Sequence, residues 1–225
     1  MATSGAITST MTAGQVVTRA LRICAVLGRG ETAEAEDMQD GVVSLNLMLK
    51  SWQATGPNLW RETDGSVTLT NATATYTLSP RPIEVLSCRY RNASGTDMPM
   101  EQLTDDEYQE IPLKTSAGIP TTFYVNKQRD ATTITVWPVL ATVTTETLRY
   151  SYQRVIEDVT AQSQHIDVPQ EALDLVIYGL ASRFLDEFGI TGERARRIVD
   201  RYMALKQQFD GFDREPFVQF VPSWS

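Results

Sequence analysis

The stretch Asp37-Met-Gln-Asp-Gly-Val-Val-Ser-Leu-Asn-Leu-Met-Leu-Lys-Ser-Trp52 decides the fold class. Met38, Val42, Leu45, Leu49 and Trp52 follow steps of four and three residues, so a helix through them carries one apolar stripe. The spacing predicts a helix from about Ala33 to Ala54, closed by Gly56-Pro57. A stripe of Met, Leu and Trp buries against other helices; it is core material and not a cofactor groove. One helix with one apolar face needs partners, and the sequence on either side supplies them.

Upstream, Thr12 is a good N-cap for a helix running to about Leu27, with Val17, Ala20, Leu21 and Cys24 on one side and Gly28 suited to the left-handed position after it. The link Arg29–Thr32 is too short for anything but an antiparallel hairpin. Near the other end of the chain, a third helix opens at Pro169 and carries Leu173, Val176, Leu180 and Phe184 as far as Gly189. Thr191 then caps a fourth, with Ala195, Ile198, Tyr202, Leu205 and Phe209, ending at Gly211. Each hairpin leaves its stripe in water if it stands alone, so the two are expected to pack into one four-helix unit.

Between them, from Glu62 to Val155, the apolar period changes to two. Val67 with Leu69, Tyr76 with Leu78, Val85 to Tyr90, and Glu146 to Val155 read as short strands. Thr121–Asn126 and Thr132–Trp137 flank Arg129-Asp130 as a hairpin that sets Phe123 and Val125 opposite Ile134 and Val136. Thr104-Asp-Asp-Glu107 predicts a capped short helix ahead of Pro112. The expected fold class is α+β: a helical core domain from 12–57 and 165–211, an inserted antiparallel β-sandwich or barrel over 58–160, and an extended tail over 212–225.

Composition bounds the chemistry. The chain has 225 residues and a formal net charge of −8. Holding DNA by its phosphates needs clustered Lys and Arg. The nearest cluster, Arg194, Arg196, Arg197 and Arg201, is interleaved with Glu193 and Asp200 and reads as a solvated helix face. No apolar run is long enough to span a bilayer, and Met1–Thr12 does not read as a signal peptide, so synthesis in the host cytoplasm is expected. Cys24 and Cys88 read as packed, reduced thiols. His165, the single histidine, lies in a polar stretch that is a poor place to orient a base. No phosphate loop, dinucleotide turn or metal-ligand spacing is present, so no catalytic residue, metal or cofactor is expected.

Two other functions can be drawn from the residues. A cell-wall glycosidase carried on a virion would need a carboxylate pair, for which Glu101, Asp105 and Glu107 are available; acids at a helix start are ordinarily caps. A carbohydrate-binding module would use Trp60, Tyr76 or Trp137 as a stacking platform, where core burial is the commoner fate. The tail is more distinctive. Phe212, Phe217, Phe220, Val221 and Trp224 lie in a segment that Pro216 and Pro222 keep from being one helix. Either it folds back on its own subunit, or it is an arm whose aromatic anchors enter a partner's groove.

The sequence resembles a known family. Thr12–Leu27, Leu45-Asn-Leu-Met-Leu-Lys-Ser-Trp52, the strand Ala74-Thr-Tyr76-Thr-Leu, Ile134-Thr-Val-Trp137-Pro138, and Pro169 through Leu180-Ala181 to Phe188-Gly189 stand in the order found in tail accessory factors of short-tailed phages, the head-to-tail adaptor or head-completion proteins. The resemblance spans about residues 12–209. It implies a structural protein at the head–tail junction of the virion, bound beneath the portal protein after DNA packaging, in a ring of about twelve copies. Such a ring closes or extends the channel through which double-stranded DNA passes without specific binding. It also offers a platform to the next tail protein, whether tube, nozzle or needle. A related role, a tail-tube gatekeeper without direct portal contact, belongs to the same class.

Overall fold

The computed structural model describes residues 10–54 and 59–212, and within these the chain divides into two compact units. Of the described residues, one unit is formed by 10–54, 59–60 and 156–212, and the other by 61–155.

In the unit made from the two ends, α1 (Ala13–Cys24) begins on a capping box. The Thr12 hydroxyl accepts from the Gln15 amide while the Gln15 side chain accepts from the Thr12 amide. The helix stops earlier than Leu27. Ala25 takes the left-handed conformation at φ 57°, and the amides of Ala25 and Val26 return to the carbonyls of Arg22 and Leu21. The position expected for Gly28 is therefore filled by an alanine three residues before it, because those returning bonds satisfy the last-turn carbonyls without a glycine. Gly28 instead donates to the Glu31 carboxylate at 2.6 Å.

α2 (Ala35–Gln53) buries Gly41, Leu45, Met48 and Leu49, with Met38, Val42 and Trp52 packed alongside. After a single 3-10 turn, Gln170–Ala172, comes α4 (Leu173–Glu187), which buries residues around most of its circumference, from Leu175 and Val176 to Phe184 and Leu185. It is the hub on which α1, α2 and α5 (Glu193–Phe212) pack. Gly179 permits a close crossing. A Cβ on Gly179 would meet Met48 Sδ, Tyr202 Cε2 and Trp52 Cζ2 at 2.9, 3.2 and 3.3 Å, so α2 and α5 converge there on α4. Gly192, at φ +77°, directly precedes α5, and its carbonyl accepts from the Arg196 amide; this is where Thr191 was expected to cap. Among its described side chains α5 buries only Ile198 fully; Ala195, Tyr202, Leu205 and Phe209 are half-buried, and Val199 and Met203 are exposed.

The second unit is a seven-stranded, nearly closed sheet in the order β1-β7-β3-β4-β5-β6-β2, namely β1 (Glu62–Thr68), β2 (Thr75–Leu78), β3 (Glu84–Arg91), β4 (Asp97–Leu103), β5 (Thr122–Lys127), β6 (Thr132–Trp137) and β7 (Thr147–Gln153). One face forms a single core from Tyr76, Leu78, Val85, Cys88, Tyr90, Met100, Phe123, Ile134, Val136, Leu148, Tyr150 and Tyr152. Val85 and Cys88 both point inward although they are three residues apart, which strict alternation forbids. A register shift between Val85 and Ser87 supplies the extra residue.

Phe123 pairs with Val136 and Val125 with Ile134, as the hairpin spacing predicts. Two features differ from a purely antiparallel sheet of six or so strands. β4 is a seventh strand, and β4 and β5 run parallel. The chain between them, 104–121, contains α3 (Asp105–Glu110) and carries the path back to the starting end of the sheet, so β5 enters in the direction of β4. α3 buries no residue fully; Tyr108 stacks on Tyr124 of β5 with ring centroids 5.0 Å apart and planes 7° apart.

Candidate interaction surfaces

The acids that could serve a glycosidase are committed elsewhere. Glu107 closes the α3 capping box, accepting from the Thr104 amide at 2.7 Å and its hydroxyl at 2.9 Å, and these bonds hold its carboxyl below the usual carboxylate range. A general acid needs the opposite shift. Asp105 accepts the Tyr124 hydroxyl, which raises that phenol, while Glu101 lies exposed on β4.

His165 is exposed in an isolated bridge to Thr12. Cys24 and Cys88 are buried free thiols, pushed up to about 11 and about 12 by burial. Among the described residues no cluster of His, Cys, Asp and Glu could hold a metal, and no helix is long and apolar enough to cross a membrane.

The aromatic candidates for a sugar platform are also engaged. Tyr76 is 8% exposed, and its hydroxyl accepts from the Thr70 amide and donates to the Thr73 carbonyl at 2.8 Å, pinning the bend that joins β1 to β2. The Trp137 indole donates to the Leu113 carbonyl at 3.1 Å, and Trp60 packs on the helical core.

The arginines of α5 divide by role. Arg194 donates to the Cys24 carbonyl at the end of α1. Arg197 pairs with Glu193 one turn back at 3.9 Å. Arg201 pairs with Asp174 at 3.5 Å and lies over the Tyr178 ring. Arg196 is exposed, and its side chain has no hydrogen bond or ion pair among the described residues.

The segment that follows the β unit is held along α2. Asn46 donates to the Val159 carbonyl at 2.7 Å and accepts from its amide at 3.0 Å, while Lys50 donates to the Ile156 carbonyl and pairs with Asp158 at 2.6 Å. Between the segment and α2 lies a groove of about 390 Å³ lined by Met38, Val42, Val43, Asn46 and Val159. On α2, Val43, which lines the groove, and Leu47 stand 52% and 60% exposed; on α5, Val199 and Met203 stand 36% and 57% exposed. These four fall outside the buried periodicity of their helices. Their own helical spacing was the available signal. Of the expected arm, Phe212 ends α5, while Phe217, Phe220, Val221 and Trp224 lie outside the described residues.

The acids are engaged in caps or lie exposed, the aromatics are occupied, and α2 and α5 leave apolar and charged ridges outward. The SU10 adaptor protein family matches residues 11–216, and the chain belongs to that family. It is thus a structural adaptor of the bacteriophage type and not an enzyme. Among curated proteins none matches significantly. Among solved structures the chain is similar to a chain of the neck of an empty GTA particle computed with C6 symmetry (15% identity, TM-score 0.30) and to one of the virion of a native gene transfer agent particle (14% identity, TM-score 0.30), with 96% of both chains covered in each case.

Proposed function

We propose that the protein is a head-to-tail connector subunit that binds the portal ring after DNA packaging, forms a ring of its own beneath it, and extends or closes the DNA channel while offering a platform for the next tail protein. The observation that carries this reading is the family match itself, which runs through both units from residue 11 to residue 216 and so applies to the whole architecture. The net charge of −8 is consistent with a channel wall that lets DNA pass without holding it. A ring of about twelve copies is the number expected from the resemblance to tail accessory factors.

In this proposal residues 212–225 are the portal-docking arm, with Phe212, Phe217, Phe220, Val221 and Trp224 as anchors. Large aromatic side chains concentrate binding energy at interfaces, and a short segment without a core of its own is suited to ordering on a partner. The test is deletion of residues 213–225. The truncated chain should keep the far-UV spectrum and thermal transition of the full one, and should no longer sediment with portal rings. Unchanged portal binding by the truncated chain would remove the arm from the proposal.

A further inference from the structure

The outward ridge of α2 reads Asp40, Val43, Leu47, and an outward ridge of α5 reads Arg196, Val199, Met203. Both follow the same i, i+3, i+7 spacing, so in each the residues stand along one line about 10 Å long. All six are exposed, and the side chains of Asp40 and Arg196 have no hydrogen-bond or ion-pair partner among the described residues.

We infer that these ridges are the two halves of one lateral contact, with α2 of one copy laid parallel against α5 of the next. Charge fixes the direction. Parallel alignment sets Asp40 against Arg196, Val43 against Val199, and Leu47 against Met203. Antiparallel alignment would bury Asp40 on Met203 and Arg196 on Leu47, which desolvates two charges without pairing them. Glu36, one turn before Asp40 and also exposed, adds acid at the end where Arg196 and Arg197 lie. Glu193, one turn before Arg196 and paired with Arg197, and Asp200, beside Val199, are the adverse charges on this side of α5.

The neighbouring groove beside Val43 continues the apolar surface inward to Met38 and Val42. Where a copy meets one neighbour through α2 and another through α5, the contact is heterologous, which generates a ring or an open helix. This inference rests on the connector reading, and it names the surfaces by which that ring closes.

The test uses the full chain, with sedimentation velocity over a concentration series, in solution and on isolated portal rings. Asp40→Arg and Arg196→Asp should each weaken self-association by about tenfold or more, leaving the circular dichroism spectrum unchanged. An equimolar mixture of the two variants should recover it, since alternating copies then meet Asp40 with Arg196 at one junction and the reversed pair at the next. Variants that assemble like the wild type, or a mixture no better than either alone, overturn the interface and leave the connector reading standing. A wild-type chain that stays monomeric both free and on portal rings overturns the interface and the ring together.

Discussion

A Cβ built on Gly41 would stand 2.4 Å from Val17 Cγ1, so α1 and α2 touch at a point where no other residue fits. Val17 is fully buried, and Phe184 of α4 closes the same site at 3.4 Å. Gly41→Ala should therefore destabilise the protein even though alanine favours a helix. Overpacking costs about 1–3 kcal/mol, and the propensity gain returns about 1 kcal/mol, leaving a net loss of up to about 2 kcal/mol. Gly179→Ala should cost less, because its nearest neighbour, Met48 Sδ at 2.9 Å, is near the end of a flexible side chain. Gly211→Ala, with nothing within 4 Å, should be neutral or stabilising by at most about 1 kcal/mol. Denaturant midpoints of the three variants check the order.

Tyr76→Phe removes a hydroxyl that serves Thr70 and Thr73 at the bend between β1 and β2 while leaving the ring in the core. The cost should be about 1–2 kcal/mol. Hydrogen exchange at the Thr70 amide should rise in the variant beyond the change at the β7 amides, since the loss is local to the bend.

How much of this was legible in the residues depended on whether burial left a period. α2 and β7 each put a regular set inward, and Met38 to Trp52 and Leu148 to Tyr152 announce it. β4 buries Met100 alone and contains Pro99, so Asp97–Leu103 has no alternation to read. The parallel β4–β5 pair was equally hidden, because the direction of a strand is set by the length and course of the chain before it and not by its own residues. Gly28 looked like the end of α1 because glycine is cheapest at positive φ, yet Ala25 takes that conformation at 57° where returning backbone bonds support it. The unpaired ridge residues Asp40 and Arg196 were visible only once the partners of every other charge near them had been placed.

The Glu107 carboxyl, lowered first by the Thr104 amide and then by its hydroxyl, should titrate below an ordinary glutamate, and Thr104→Ala, which keeps the amide, should raise it only part of the way back. A group whose folded pKa is depressed adds stability above its unfolded pKa, and that contribution disappears as pH falls through the folded value. The α3 cap therefore weakens on the acid side. Carboxyl chemical shifts followed against pH, with and without the Thr104 hydroxyl, read both effects.

Both thiols should be inert in the native protein. Burial pushes Cys24 to about 11 and Cys88 to about 12, and the side chains are 2% exposed. Thiolate, the reactive form, is thus scarce at pH 8 and sterically covered as well. Ellman's reagent should react at the rate of unfolding, speeding in denaturant in step with loss of the circular dichroism signal. Prompt reaction of either thiol in native buffer would contradict the packing described for α1 or β3.

Asn46 and Lys50 lie one turn apart on α2 and both hold the segment after the β unit, Asn46 by hydrogen bonds alone and Lys50 by a hydrogen bond to the Ile156 carbonyl together with an exposed ion pair. Lys50 has the shorter contact, 2.6 Å to Asp158, but the two side chains are 37% and 61% exposed, and such pairs contribute at most about 1 kcal/mol. Asn46 forms two bonds with the backbone of Val159, a residue 3% exposed, and truncation strands both a carbonyl and an amide beside the core. Each stranded group costs about 1–3 kcal/mol. Asn46→Ala should accordingly destabilise by about 2–6 kcal/mol, and Lys50→Ala by about 1–3 kcal/mol, since it leaves the Ile156 carbonyl without its donor. Added salt should remove only the ion-pair part of the Lys50 effect and leave that of Asn46 intact. If the lysine variant proves the weaker of the two in chemical denaturation, the segment is held by charge, and the groove beside Val43 loses the rigid wall that Val159 gives it.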